Sequence, residues 1–353
     1  MSISFGKSLA GSVFAITAAT SVSADVPQVA TDIAPVHGLV ARVMEGLGEP
    51  DLVVQQGASP HGYSMRPSEA RALEAANAVF WIGPELAPWL EDSIGTLAPD
   101  AHVVELLDVE GITTLEYREG ATFESHDHGD HDHEGEDHAG HDHSEDAAHE
   151  KHDHAEEASH EGEEHAEHDH GGHDHAGHSH DGLDPHAWLD PENGKVWLDV
   201  IAEELAELDP ENADTYRENA AAGQEEIDVA IGEVEEMLSS TGEISFVVFH
   251  DAYQYFETRF DISAAGAISL GDASDPSPAR VEEVRNTVTE LGVTCVFSEP
   301  QFNQNLVQTV TEGTDAQTTV IDPLGFGLDT GPDFYPALMR SLAESIASCA
   351  SSS

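Results

Sequence analysis

Apolar residues along this chain fall into short runs separated by stretches of helical spacing, and the alternation occurs twice. Runs at 29–33, 51–55, 78–82 and 101–106 predict strands. Between them, residues 35–47 carry Val36, Leu39, Val40, Val43 and Leu47 at a helical period, and Ser68 is placed to N-cap a helix through Ala70, Leu73 and Ala76. Later runs at 244–249, 265–270, 294–298 and 318–321 predict further strands, with helices at 278–291 and 303–311 between them. Strand, helix, strand at this spacing implies right-handed crossovers and parallel pairing. The expected fold is therefore α/β, with two lobes, each a mainly parallel four-stranded sheet flanked by helices.

A longer pattern joins the two. After Pro210, the apolar set Ala213, Tyr216, Ala220, Ile227, Ile231, Val234 and Leu238 keeps a helical period. That is ~40 Å of helix at 1.5 Å per residue. It predicts one long rigid helix, 210–238, between a lobe of residues 25–209 and a lobe of residues 239–353, with a cleft between the lobes. A shorter helix precedes it, its inward face Val196, Val200, Ile201, Leu205 and Leu208.

Periodicity vanishes between residues 126 and 180, which hold eighteen of the chain's 23 histidines among Asp, Glu, Gly and Ala. With no large apolar residue, this stretch has nothing to bury, so residues 124–182 are expected to be a disordered insert in the first lobe. At the start, Lys7 precedes an apolar run and the small residues Ser21-Val22-Ser23-Ala24, the pattern of a secretory signal over residues 1–24. No cysteine stands at the cleavage point to carry a lipid, and no later run is long enough to span a bilayer. The expected location is the periplasm, without direct membrane insertion.

Charge narrows the partners. A formal net charge of -58, from 70 acidic against 12 basic residues, disfavours nucleic acid and anionic lipid. Such a surface attracts cations, but adaptation to saline water gives the same composition, and both causes stay open. The two cysteines, Cys295 and Cys349, suggest in an exported protein a disulfide stapling the last segment to a late strand, with buried free thiols as the alternative.

Candidate chemistry sits where extended runs give way to turns. His61 lies in Ser59-Pro60-His61-Gly62-Tyr63, His186 in Asp184-Pro185-His186, His250 in Phe249-His250-Asp251, and Asp322 in Ile321-Asp322-Pro323. Open α/β sheets bind ligands outside the carboxyl ends of their strands. Imidazole and carboxylate suit zinc, and four donors from four segments can close a tetrahedron at about 2.0–2.2 Å. Glu299 and Tyr63 are candidates to orient a ligand ring, weighed against a plain cap and a plain core aromatic. Asp251 is expected to cap the next helix, and His102, opening an apolar run, to be structural. In the insert, His126, His128, His131, His133, His141, His143, His173 and His175 stand beside carboxylates and offer auxiliary weak metal sites, against the alternative of a solvated linker. No His-Glu-x-x-His pair is present, which argues against a zinc hydrolase.

Taken together, the segments around His61, Pro185-His186-Ala187-Trp188-Leu189-Asp190-Pro191, Phe249-His250-Asp251-Ala252-Tyr253, Ser298-Glu299-Pro300-Gln301-Phe302 and Asp322-Pro323-Leu324-Gly325 resemble the zinc-uptake solute-binding proteins of bacterial ABC importers, the ZnuA-like family. The resemblance covers nearly all the mature chain and includes the histidine-rich insert. It implies a non-enzymatic, monomeric periplasmic receptor that captures Zn2+ and delivers it to an inner-membrane ABC permease, with a periplasmic zinc chaperone as a further candidate partner. It implies His61, His186 and His250 as ligands, Asp322 as the completing carboxylate, and a Cys295–Cys349 disulfide. One departure stands out: Pro60 occupies the place where some zinc receptors carry an acidic residue, so Asp322 or a water must fill the fourth position. Manganese receptors of this fold carry glutamate at the place of His250, and nitrogen there favours zinc. A receptor for manganese or another divalent metal, or a zinc buffer working through the insert, are the alternatives.

Overall fold

The computed structural model describes residues 26–118, 120, 122–123, 182–242, 244–271 and 273–351. They belong to one compact unit. The predicted signal and every insert histidine lie outside the described residues.

The first lobe runs β1 (Val29–Thr31), α1 (Ala34–Val43), β2 (Asp51–Leu52), α2 (Pro67–Ala75), β3 (Ala78–Trp81), α3 (Pro88–Leu97) and β4 (His102–Glu105). Its sheet has the order β2-β1-β3-β4, every pair parallel. After α4 (Pro191–Leu208) and α5 (Ala213–Ser239) come β5 (Phe246–His250), α6 (Gln254–Phe260), β6 (Gly266–Ser269), α7 (Pro278–Glu290), β7 (Cys295–Ser298), α8 (Gln304–Thr311), β8 (Gln317–Val320) and α9 (Phe334–Ser351). The second sheet, β6-β5-β7-β8, is likewise parallel and has the same topology. Both sheets reverse their winding beside their first strand, which opens a crevice at the carboxyl ends of β1 and β3 and of β5 and β7. The two-lobe α/β architecture expected from the pattern is the one observed.

Helix α5 spans 27 residues and packs against α1, α4 and α9. Arg42 of α1 pairs with Glu226 of α5 at 2.9 Å, while Arg340 of α9 pairs with Glu233. Gly194 of α4 admits the Tyr335 ring of α9, where any Cβ would lie 2.6 Å from the hydroxyl. A single apolar cluster runs from Val36 and Leu39 through Trp197, Ile227 and Val234 to Phe297, Leu338 and Ile346. The lobes therefore share a core.

Local chemistry moved some boundaries. Helix α2 starts at Pro67, so Arg66 takes the N-cap position, its N–H bound by Glu69 at 2.6 Å, and Ser68 falls inside the first turn. Proline's fixed φ prefers that first helical position. Helix α5 begins after the Asn212 N-cap, with Pro210 still in the preceding turn. His102 is the first residue of β4, and its half-exposed ring lies 3.5 Å from Glu204.

Cys295 of β7 and Cys349 of α9 form a disulfide with Cα atoms 6.1 Å apart. The bond closes a loop across a separation of 54 residues. Restricting an unfolded loop of that length is worth about 4 kcal/mol. The Cys295→Ser/Cys349→Ser chain is expected to unfold at lower denaturant with an unchanged zinc site, and equal midpoints in guanidinium titrations would refute this.

Candidate metal centre

The site assembles from loops that the strands aim at one point. His250 is the last residue of β5, and Glu299 directly follows β7, so the crevice of the second sheet carries an imidazole and a carboxylate side by side. His61 sits in a single 3-10 turn, Pro60–Gly62, after β2, and Trp89 of α3 fixes that turn by donating Nε1–H to the Pro60 carbonyl at 2.7 Å. His186 precedes another such turn, Ala187–Leu189, which Asn193 holds through the Ala187 carbonyl at 3.0 Å.

Ring nitrogens of His61, His186 and His250 all lie within 4.8 Å of one another. The Nε2 atoms of His186 and His250 are 3.4 Å apart. Two donors on a tetrahedral zinc at ~2.0–2.1 Å are separated by about 3.3–3.4 Å, so this edge already has the dimension of a zinc polyhedron. His186 and His250 are buried and His61 is half-buried. Pro60, Trp188, Phe302, Pro323 and Leu324 wall the cavity.

Each buried ring is oriented from behind. His186 Nδ1 lies 2.6 Å from Asp184 Oδ1, and His250 Nδ1 lies 2.8 Å from Glu299 Oε1. A carboxylate accepts, so Nδ1–H donates in both and each Nε2 lone pair faces the centre. Electrostatics separates the pair. Burial, then the neighbouring His250, pulls the His186 pKa well below its usual value, which keeps that ring neutral. For His250 burial pulls the same way but is outweighed by the Glu299 charge and hydrogen bond, with Asp251 and Asp184 adding, and its pKa rises above 6.5. Asp184 itself is pushed by burial up to about 7, against the pull of the His186 N–H and Arg118.

Residues 29–349 match the family described as zinc-uptake complex component A, periplasmic. The chain belongs to this family. It is 46% identical over 344 residues to the high-affinity zinc uptake system protein ZnuA of Brucella suis, spanning 97% of each chain. It is 42% identical over 334 residues to the protein of the same name from Paracoccus denitrificans, spanning 94% of each. Among solved structures, a crystal structure of ZnuA superposes with a TM-score of 0.67 at 21% identity, over 92% of this chain and 100% of that one. At that identity the superposition speaks for the shared fold.

Within this family member, the three histidines meet and Asp322 stands apart from their group. Its Oδ1 accepts from Gln301 Nε2 at 2.8 Å and from the Leu324 N–H at 2.9 Å, while its Oδ2 accepts from the Phe326 N–H at 2.6 Å. Of the two orienting candidates, Glu299 contacts the His250 ring, whereas Tyr63 donates to Glu69 at 2.9 Å and packs on Trp89. Asp251 does not cap α6, whose N-cap is Tyr253; its carboxylate binds Arg118. Sequence reasoning passed over Asp184, although the Asp-x-His spacing, which returns a carboxylate to its neighbour's ring, was there to be read. Arg118 left no local signal, since its partners are more than a hundred residues away.

Proposed function

We propose that this chain captures Zn2+ in the periplasm with His61, His186 and His250 and passes it to the inner-membrane permease of an ABC importer. The supporting observation is the 3.4 Å separation of two Nε2 atoms whose rings are locked by Asp184 and Glu299. Three neutral nitrogens favour zinc over harder cations. Membership of a periplasmic zinc-uptake family makes the chain a receptor, not an enzyme. Zinc is thus cargo, and the fourth position is open to a water or to Asp322 once its bonds to Gln301, Leu324 and Phe326 are exchanged for metal. Export fits the leader-like pattern of residues 1–24, removed before the receptor works.

The insert histidines then form a weak auxiliary store distinct from the tight site. Titrating the full chain and a chain lacking residues 126–180 against a chromophoric chelator is expected to show one tight zinc in both, with further weak binding in the full chain alone. Loss of the tight site on deletion would instead make the insert the working part.

A further inference from the structure

A buried charge cluster lies behind the site. Arg118, 15% exposed, reaches Asp251 through Nε at 3.0 and 3.1 Å and also through Nη2; it reaches Glu257 through Nη1 at 2.7 Å and Nη2 at 3.0 Å. Asp251 follows the ligand His250, and Glu257 anchors the turn into β6 by accepting from the Ala264 N–H at 3.0 Å.

The backbone beside Arg118 leads to the other buried ligand. Tyr117 N–H donates to the Gly182 carbonyl at 3.1 Å, and Asp184 N–H donates to the Leu115 carbonyl at 2.8 Å, around an antiparallel bridge between Glu116 and Leu183. Asp184, at the end of this ribbon, holds the ring of His186. Tyr255 of α6 closes the same end, its hydroxyl accepting from the Leu115 N–H at 2.9 Å and donating to the Asp184 carbonyl at 2.8 Å. Beyond Arg118, the Phe123 N–H donates to Ala265 at 3.0 Å, and its ring lies 3.8 Å under the guanidinium. Gly271 leaves room for Tyr117, whose ring any Cβ there would overlap. Residues 115–118 and Phe123 are thus laid against the second lobe.

We propose that Arg118 is a positioning residue for the metal centre, clamping the ribbon that carries His186 to the strand end that carries His250. The proposal rests on the zinc-receptor reading of the site. A planar guanidinium grips two carboxylates at once in fixed directions, which an ammonium does not. The His186–His250 edge is thereby held at metal-ready length before zinc arrives, and the ordering is not left to the binding step.

The test uses the full chain carrying one equivalent of Co2+, whose visible spectrum reports coordination geometry, with zinc affinity and zinc release rate measured alongside. Arg118→Gln is expected to weaken zinc binding about 10–100-fold, chiefly through faster release, and to diminish the tetrahedral cobalt bands. Arg118→Lys is expected to recover only part of this. Because Arg118→Gln strands two buried carboxylates, the compensated chain Arg118→Gln/Asp251→Asn/Glu257→Gln is measured too, its folding checked by metal-free thermal unfolding. A persisting affinity loss and altered spectrum in that folded chain support positioning. Parent-like affinity and spectrum there, or in Arg118→Gln, overturn it and leave Arg118 a mere counter-charge. A parent chain with no tetrahedral cobalt spectrum would overturn the site assignment itself, a result told apart because no Arg118 variant is needed to see it.

Discussion

Replacing His250 with alanine is expected to weaken zinc binding about a thousandfold, ~4 kcal/mol of the roughly 10–16 kcal/mol that a complete site supplies. The ring is buried at the end of β5 and supplies one of the three converging nitrogens, so no neighbour replaces it without moving a strand. Its removal also leaves the Glu299 carboxylate facing an emptied space, since Glu299 Oε1 is the atom that receives Nδ1–H. Glu299→Gln separates these effects. The amide still accepts through its oxygen but brings no charge, and the expected loss is about 10–100-fold, the usual range when an orienting partner of a metal ligand is changed. Chelator competition on both chains, with circular dichroism to verify folding, measures the difference. Near-parent affinity in a folded His250→Ala chain would remove this ring from the site.

How much of this was visible before folding follows from the range of each interaction. The strands were legible because runs such as Val79-Phe80-Trp81 are buried on both faces of a parallel sheet and so read as continuous apolar stretches. Helix α5 was legible because Tyr216, Ala220, Ile227, Ile231, Val234 and Leu238 face a common core at a helical period. His61, His186 and His250 are legible singly, each where an extended run ends, and the resemblance joins them as a candidate ligand set. Nothing local showed that Asp251 faces Arg118 and not its own helix, because burial beside the shared core decides that choice, and burial is a property of the assembled lobes. Asp322 is a similar case. The Asp322-Pro323-Leu324 stretch invites a carboxylate that accepts from N–H groups two and four residues on, an Asx-type turn, and this local demand competes with the metal for the same oxygens. Motif spacing names the residue but does not say which demand prevails.

Acidification is expected to drive zinc out while making the metal-free fold more stable. Zinc requires neutral imidazoles, and His250, with its pKa above 6.5, gains a proton early as pH falls, so affinity drops roughly tenfold per pH unit below that value. The metal-free protein responds in the opposite sense. Burial pushes Asp32 and Asp184 up to about 7 and Asp251 up to about 6, and His250 is raised as well. A group whose folded pKa exceeds its unfolded one contributes stability that is fully present below the unfolded pKa and is lost as pH rises through the folded value. The three carboxyls therefore withdraw stability as pH rises from about 4 through 7, and His250 withdraws its share as pH rises above 6.5. His186 and His37, both lowered chiefly by burial, oppose them, because the unfolded chain is then the better proton acceptor below about pH 6.5. The raised carboxyls prevail, and the expected net is a rise of about 5 °C in the metal-free melting temperature from pH 8 to 5.5, or ~2 kcal/mol at the usual 2–4 °C per kcal/mol. Across the same interval the increment contributed by zinc shrinks, since it follows the falling affinity. Scanning calorimetry with chelator and with excess zinc at matched ionic strength measures both trends. A metal-free melting temperature that falls steadily on acidification would show that the buried carboxylates stay ionised, and the electrostatics assigned to the centre would then have the wrong sign.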